Sequence, residues 1–71
     1  MKGEWFEAVM HDVLGATYKF CGRSFRWVFK QSISYAKHVL YLHDEYMMLD
    51  VYLDDYIINV YRGYYIVKRR V

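Results

Sequence analysis

Met47, Leu49, Val51 and Leu53 fall at every second position of DEYMMLDVYLDDY, residues 44–56, a stretch that also holds five carboxylates. Successive side chains of a strand point to opposite faces, so this period of two predicts a half-buried β-strand. Asp54-Asp55 and Arg62-Gly63 read as two-residue turns, which divide the chain from Glu45 onward into the three strands of an antiparallel meander. The first turn sets Leu53 against Tyr56, Val51 against Ile58 and Leu49 against Val60. The second sets Val60 against Tyr65 and Ile58 against Val67.

Both registers sort the side chains onto the same two faces. Met47, Leu49, Val51, Leu53, Tyr56, Ile58, Val60, Tyr65 and Val67 share one, which is the core face. Met48, Asp50, Tyr52, Ile57, Asn59, Tyr61, Tyr64, Ile66 and Lys68 share the other. A slip of one residue at either turn would carry Asp50 or Asn59 into the core, so the agreement constrains the register. Arg62 is poorly suited to positive φ, and a three-residue loop with Gly63 in a bulge is the competing geometry.

Earlier in the chain the apolar period changes. Trp5, Phe6, Val9, Met10, Val13 and Leu14 recur at helical spacing, predicting a helix over Glu4–Leu14 with Gly15 as its C-terminal cap. Thr17–Cys21 and Ser24–Gln31 flank Gly22-Arg23 and both alternate, predicting a hairpin with Phe25, Trp27 and Phe29 inside and Arg26 and Lys30 outside. Residues 32–43 contain no Gly, Pro, Asn or Asp. A helix capped by Ser32 would put Ile33, Ala36, Val39, Leu40 and His43 on one face, and a strand–turn–strand is the rival. Together these elements predict a single α+β domain over residues 1–71. An N-terminal helix packs on a curved antiparallel sheet of about five strands that ends in the meander, and 32–43 is a candidate second helix.

Composition limits what such a domain can be. A hydrophobic fraction of 56% and an aromatic fraction of 21% exclude a disordered segment. A chain of 71 residues buries only about 60% of its unfolded surface, so its stability is marginal and self-association would help. Nine tyrosines, two tryptophans and four phenylalanines exceed what one small core holds, which sends some rings to the surface, where Tyr and Trp mark binding sites.

Cys21 is the only cysteine, so no intrachain disulfide forms and a reducing, cytoplasmic setting is expected. The N-terminus has no continuous apolar segment of the signal-peptide kind, and no run approaches a membrane span of about 18 residues. The chain reads as stand-alone from its Met.

The net charge of +2 conceals segmentation. Residues 17–43 hold five cations and no acid, residues 44–61 hold five acids and no base, and residues 62–71 hold four cations. Such a layout either exchanges charge across the sheet or steers the molecule onto a charged partner.

Candidate chemistry is sparse. His38, His43, Asp44 and Glu45, like His11-Asp12, lack any metal-site spacing, so no metal and no cofactor is expected. Cys21 next to Phe20 reads as a buried structural thiol, and Asp54-Asp55 as a solvated turn rather than a catalytic pair. RSFRWVFK, residues 23–30, interleaves rings with cations as single-strand platforms do, but strand alternation would put the two on opposite faces. It also lacks the glycines of an RNA-recognition motif.

The Tyr-rich second face is more apolar than a solvated sheet face normally is. Either the 32–43 helix covers part of it or it binds something. The sequence therefore predicts a protein without catalytic activity that binds another protein through Met48, Asp50, Tyr52, Asp54, Asp55, Asn59, Tyr61 and Tyr64. A small inhibitor or adaptor of the type phages and mobile elements encode fits that description. A homodimer on the same face is a further expectation. The alternative is nucleic-acid binding through Arg23, Arg26, Lys30, Arg69 and Arg70.

Overall fold

A computed structural model describes residues 4–11, 15–42 and 48–70. The elements run β1 (Phe6–His11), β2 (Thr17–Gly22), α1 (Phe25–Tyr41), β3 (Leu49–Leu53), β4 (Tyr56–Val60) and β5 (Tyr65–Arg69). All five strands join one antiparallel sheet in the order β2-β1-β3-β4-β5, with the helix against one face. The fold is α+β, and the sheet stays open rather than closing into a barrel.

The meander forms in the register its turns dictate: Leu49 pairs with Val60, Val51 with Ile58, Leu53 with Tyr56, Ile58 with Val67 and Val60 with Tyr65. Asp54 takes φ +54°, a left-handed conformation that aspartate tolerates better than most residues, and is the only described non-glycine residue to do so. Arg62 has no such strain to bear. The Tyr61 N–H donates to the Tyr64 carbonyl at 2.8 Å, closing Arg62-Gly63 as a two-residue loop without a bulge.

The first half of the chain departs from its predicted elements. Residues 6–11 form a strand, not part of a helix over Glu4–Leu14; residues 12–14 lie outside the described residues. Phe6, Ala8 and Met10 face the core while Glu7, Val9 and His11 face away, so a period of two was present, masked because Val9 is apolar on the outer side. Gly15 does adopt positive φ (+91°), but in the loop between β1 and β2 rather than at a helix end.

The second correction is at Ser24–Gln31, which opens α1 instead of forming a hairpin strand. Ser24 is the N-cap, with extended φ and ψ, and its Oγ accepts the Trp27 N–H at 3.1 Å. From there seventeen residues run without Gly or Pro, and Val28, Ser32, Ile33, Ala36, Val39 and Leu40 make the buried stripe. The helix predicted for 32–43 is therefore present as far as Tyr41, but it begins at Phe25, and His43 lies outside the described residues. Ser32 is no cap; it is buried mid-helix and donates to the Phe29 carbonyl at 3.0 Å.

The core lies between α1 and the inner face of β1, β3 and β4. Ala8, Met10, Val28, Ala36, Leu40, Val51, Leu53, Ile58 and Val60 are fully buried there. Each large member contributes about 1.5–3 kcal/mol of burial. Rings seal the margins. Tyr35 of α1 sits 4.9 Å from Tyr18 and 5.6 Å from Phe20 on β2, and Phe25 meets Phe6 edge-on at 5.4 Å. The helix approaches the end of β2 closely: a Cβ on Gly22 would lie 3.2 Å from both the Trp27 ring and Val28 Cγ2.

Candidate functional site: the open face of the sheet

Strand alternation sends Glu7, Val9 and His11 (β1), Thr17, Lys19 and Cys21 (β2), Asp50 and Tyr52 (β3), Ile57 and Asn59 (β4) and Ile66 and Lys68 (β5) to the face opposite α1. Among the described residues no element lies over this face. The helix does not cover it, because its buried stripe is spent on the core side.

The middle of the face is ordered by cross-strand pairs. Asn59 Nδ2 donates to Asp50 Oδ1 at 2.6 Å between β4 and β3, which satisfies a buried amide and a half-buried carboxylate together. The Tyr52 ring has the His11 ring on one side at 6.3 Å, edge-on. On the other side stands the Arg70 guanidinium, 5.6 Å from its centroid, within cation–π range. Arg70 itself is fixed by the acidic turn: its N–H donates to the Asp55 carbonyl at 2.6 Å and its Nη1 to the Asp54 carbonyl at 3.4 Å.

One end of the face is aromatic. Tyr61 and Tyr64 stack with centroids 4.6 Å apart and planes 12° from parallel, and continuing the β3–β4 register sets Met48 beside Tyr61. Tyr64 is 56% exposed, enough to make it an accessible ring rather than a core one. Behind this end Arg62 donates to the Tyr41 carbonyl at 3.1 Å and lies 5.5 Å from the Tyr41 ring, tying the β4–β5 loop to the helix terminus.

The structure thus gathers Met48, Asp50, Tyr52, Asn59, Tyr61 and Tyr64 on one surface, with Asp54 and Asp55 exposed at its far end. Cys21 corrects the expectation of a buried thiol. Tyr18 and Phe20 face the helix, so Cys21 faces out, exposed, with Sγ 3.7 Å from Glu7 Oε2. Reading residues 4–14 as a helix also hid the contribution of Glu7, Val9 and His11 to this face.

The residues assigned to nucleic-acid binding are split. Arg70 is on the open face and Arg23 in the turn before α1, whereas Arg26 and Lys30 lie one helical turn apart on α1. Lys37 on that flank stands 5.6 Å from the Tyr65 ring of β5, and Arg69 projects from β5 to the same side as Tyr65 and Val67. Between them runs a cleft of about 370 Å³ lined by Phe6, Phe25, Phe29, Asp54, Tyr56 and Val67. Phe25, Arg26 and Phe29 border a single neighbouring hollow. Helical geometry therefore brings together the rings and the cation that strand alternation would have separated.

Among the described residues no three His, Cys, Asp or Glu side chains converge as metal ligands, and no helix is long and apolar enough to cross a membrane. His43, Asp44, Glu45 and Asp12 lie outside the described residues. Compared with protein-family models, curated proteins and solved structures, the chain matches none.

Proposed function

We propose that the protein is a non-catalytic protein-binding module, a small inhibitor or adaptor that engages a partner through the open face of its sheet. The observation that carries this reading is a face that no described element covers and that bears Tyr52, Ile57, Tyr61, Tyr64 and Ile66. Tyrosine supplies rigid amphipathic contact area and is enriched at binding hot spots. Asp50 and Asn59 add a polar pair already satisfied within the face, so a partner need not desolvate them alone. The exposed Cys21 thiol suits the reducing cytoplasm, where occlusion of a host protein by a phage- or mobile-element-encoded inhibitor would take place.

The test is affinity capture from the native host with wild type and with Tyr61→Ala/Tyr64→Ala. The expected result is one specific protein retained by wild type and lost by the variant, with the variant's circular dichroism unchanged. Retention unaffected by the substitutions, or no specific protein with wild type, overturns the proposal.

A second reading is favoured by the hollow that Phe25, Arg26 and Phe29 share: single-stranded nucleic acid stacking there against a cationic flank. Salt-sensitive binding of single-stranded oligonucleotide, abolished by Arg26→Glu/Lys30→Glu and indifferent to Tyr61→Ala/Tyr64→Ala, is its signature.

A further inference from the structure

Among the described residues, no strand bonds the outer edge of β5. At one end of the β4–β5 ladder the Tyr61 N–H reaches the Tyr64 carbonyl, and at the other the Arg70 N–H reaches the Asp55 carbonyl. Bonded and non-bonded pairs alternate in an antiparallel ladder. Asn59–Ile66 and Ile57–Lys68 are thus the bonded pairs, and Val60–Tyr65, Ile58–Val67 and Tyr56–Arg69 the non-bonded ones. The N–H and C=O groups of Tyr65, Val67 and Arg69 consequently point away from β4, and no described strand receives them.

The side chains of this edge are apolar and open. All five residues of β5 are exposed, Tyr65, Ile66 and Val67 by 42–45%, because α1 reaches this strand only through Phe29 and Lys37, both against the Tyr65 ring. Edge strands are ordinarily protected by charges, proline, bulges or a covering element. β5 has its two cations at one end, and the other edge strand, β2, exposes no large apolar side chain.

We propose that β5 pairs antiparallel with β5 of a second copy about a two-fold axis at Val67, joining two five-stranded sheets into one of ten. Only this two-fold register bonds the three outward-pointing residues of one copy to the same three of the other: Val67 to the partner's Val67, Tyr65 to the partner's Arg69, and Arg69 to the partner's Tyr65. Charge selects it as well. Lys68 then opposes the partner's Ile66, and Arg69 the partner's Tyr65 ring, a cation–aromatic pairing. Shifting the register by two residues one way places Lys68 against Lys68, like charges directly opposed. Shifting it the other way sets Arg69 against the partner's Gly63 and leaves its outward groups unbonded. The axis stands perpendicular to the sheet, so both helices lie on one side and both open faces remain available on the other. An interface of one short strand per copy is small, which makes the dimer weak and concentration-dependent.

The experiment is sedimentation velocity on the full chain over concentrations on the order of 1 µM to 1 mM, the range in which weak association is read. Wild type is expected to rise from the 8.7 kDa monomer toward twice that mass. Val67→Lys, which sets two ammonium groups at the axis, is expected to remain monomeric with unchanged circular dichroism. Ile66→Glu, which gives each Lys68 an opposing carboxylate, is expected to dimerise at least as tightly as wild type. A wild type monomeric throughout, a folded Val67→Lys that dimerises normally, or a folded Ile66→Glu that loses the dimer would each overturn the proposal. The register is read without any variant from a mixture of labelled and unlabelled chains. A filtered NOE between Ile66 Hα of one copy and Lys68 Hα of the other is expected, and its absence in a sample dimeric by mass sinks the register. Loss of partner capture by the Tyr61 and Tyr64 variants has no bearing on this edge, so the two proposals fail separately.

Discussion

The Asn59 side-chain amide donates to the Asp50 carboxylate at 2.6 Å across the β3–β4 pair, on the one face of the sheet that no described element covers. A hydrogen bond to a charged group is worth roughly 1.5–3 kcal/mol, and partial exposure of Asp50 brings this one to the lower end. Asn59→Ala is expected to cost about 1–2 kcal/mol and lower the thermal midpoint by roughly 4–8 °C per kcal/mol in a domain this size. Asp50→Ala should cost less than the sum suggests when added to it, which a double-mutant cycle on thermal denaturation would reveal.

Residues 6–11 offer a test of strand against helix. In a helix Val9 and Met10 would share the buried stripe; in β1 Val9 faces out and Met10 is fully buried. Met10→Ala is expected to destabilise by about 2–5 kcal/mol and Val9→Thr by under about 1 kcal/mol, measured by urea denaturation. Equal costs would contradict the strand.

Ser24→Ala removes the acceptor for the Trp27 N–H at the start of α1. A loss of about 1 kcal/mol is expected, with Ser24→Asp retaining most of the stability. Chemical denaturation followed at the helical band checks both.

Gly22→Ala puts a methyl 3.2 Å from the Trp27 ring and from Val28 Cγ2. The half-exposed Trp27 can swing aside, but Val28 is β-branched and fully buried, so a cost of about 1–2 kcal/mol is expected from the same denaturation series.

Cys21 is exposed on the open face, and the folded protein is expected to react with a thiol reagent at a rate close to that of the unfolded chain. Protection of more than about 100-fold, the mark of a buried thiol, would contradict its placement.

The meander was legible because its register is local information. Two-residue turns at Asp54-Asp55 and Arg62-Gly63 leave one pairing that keeps Asp50 and Asn59 off the core face, and the structure has it. The open face was legible for the same reason, as far as β3, β4 and β5 form it. β1 was not. Outward-facing Val9 completes a false helical stripe, and the pairing that makes the segment a strand, with β2 along its length and with β3 as in Ala8 with Leu53, is not visible in its own period. At Ser24–Gln31 the alternation of Phe25, Trp27 and Phe29 resembled a strand, although Trp27 is half exposed and only Phe25 and Phe29 share a helical face. The informative signal there was the Ser24 cap followed by an unbroken run without turn residues.

The place of β1 in the sheet has a consequence for how the chain assembles. Its neighbours are β2, which begins at Thr17, and β3, reached only after the whole of α1. Contacts between residues distant in sequence carry a loop-closure entropy that slows folding. The β1–β2 hairpin and the meander can each form early, whereas the seam between β1 and β3 is expected to close later and to slow folding. On a chain emerging from the ribosome, one edge of β1 stays open to stray pairing until residues 49–53 have been made.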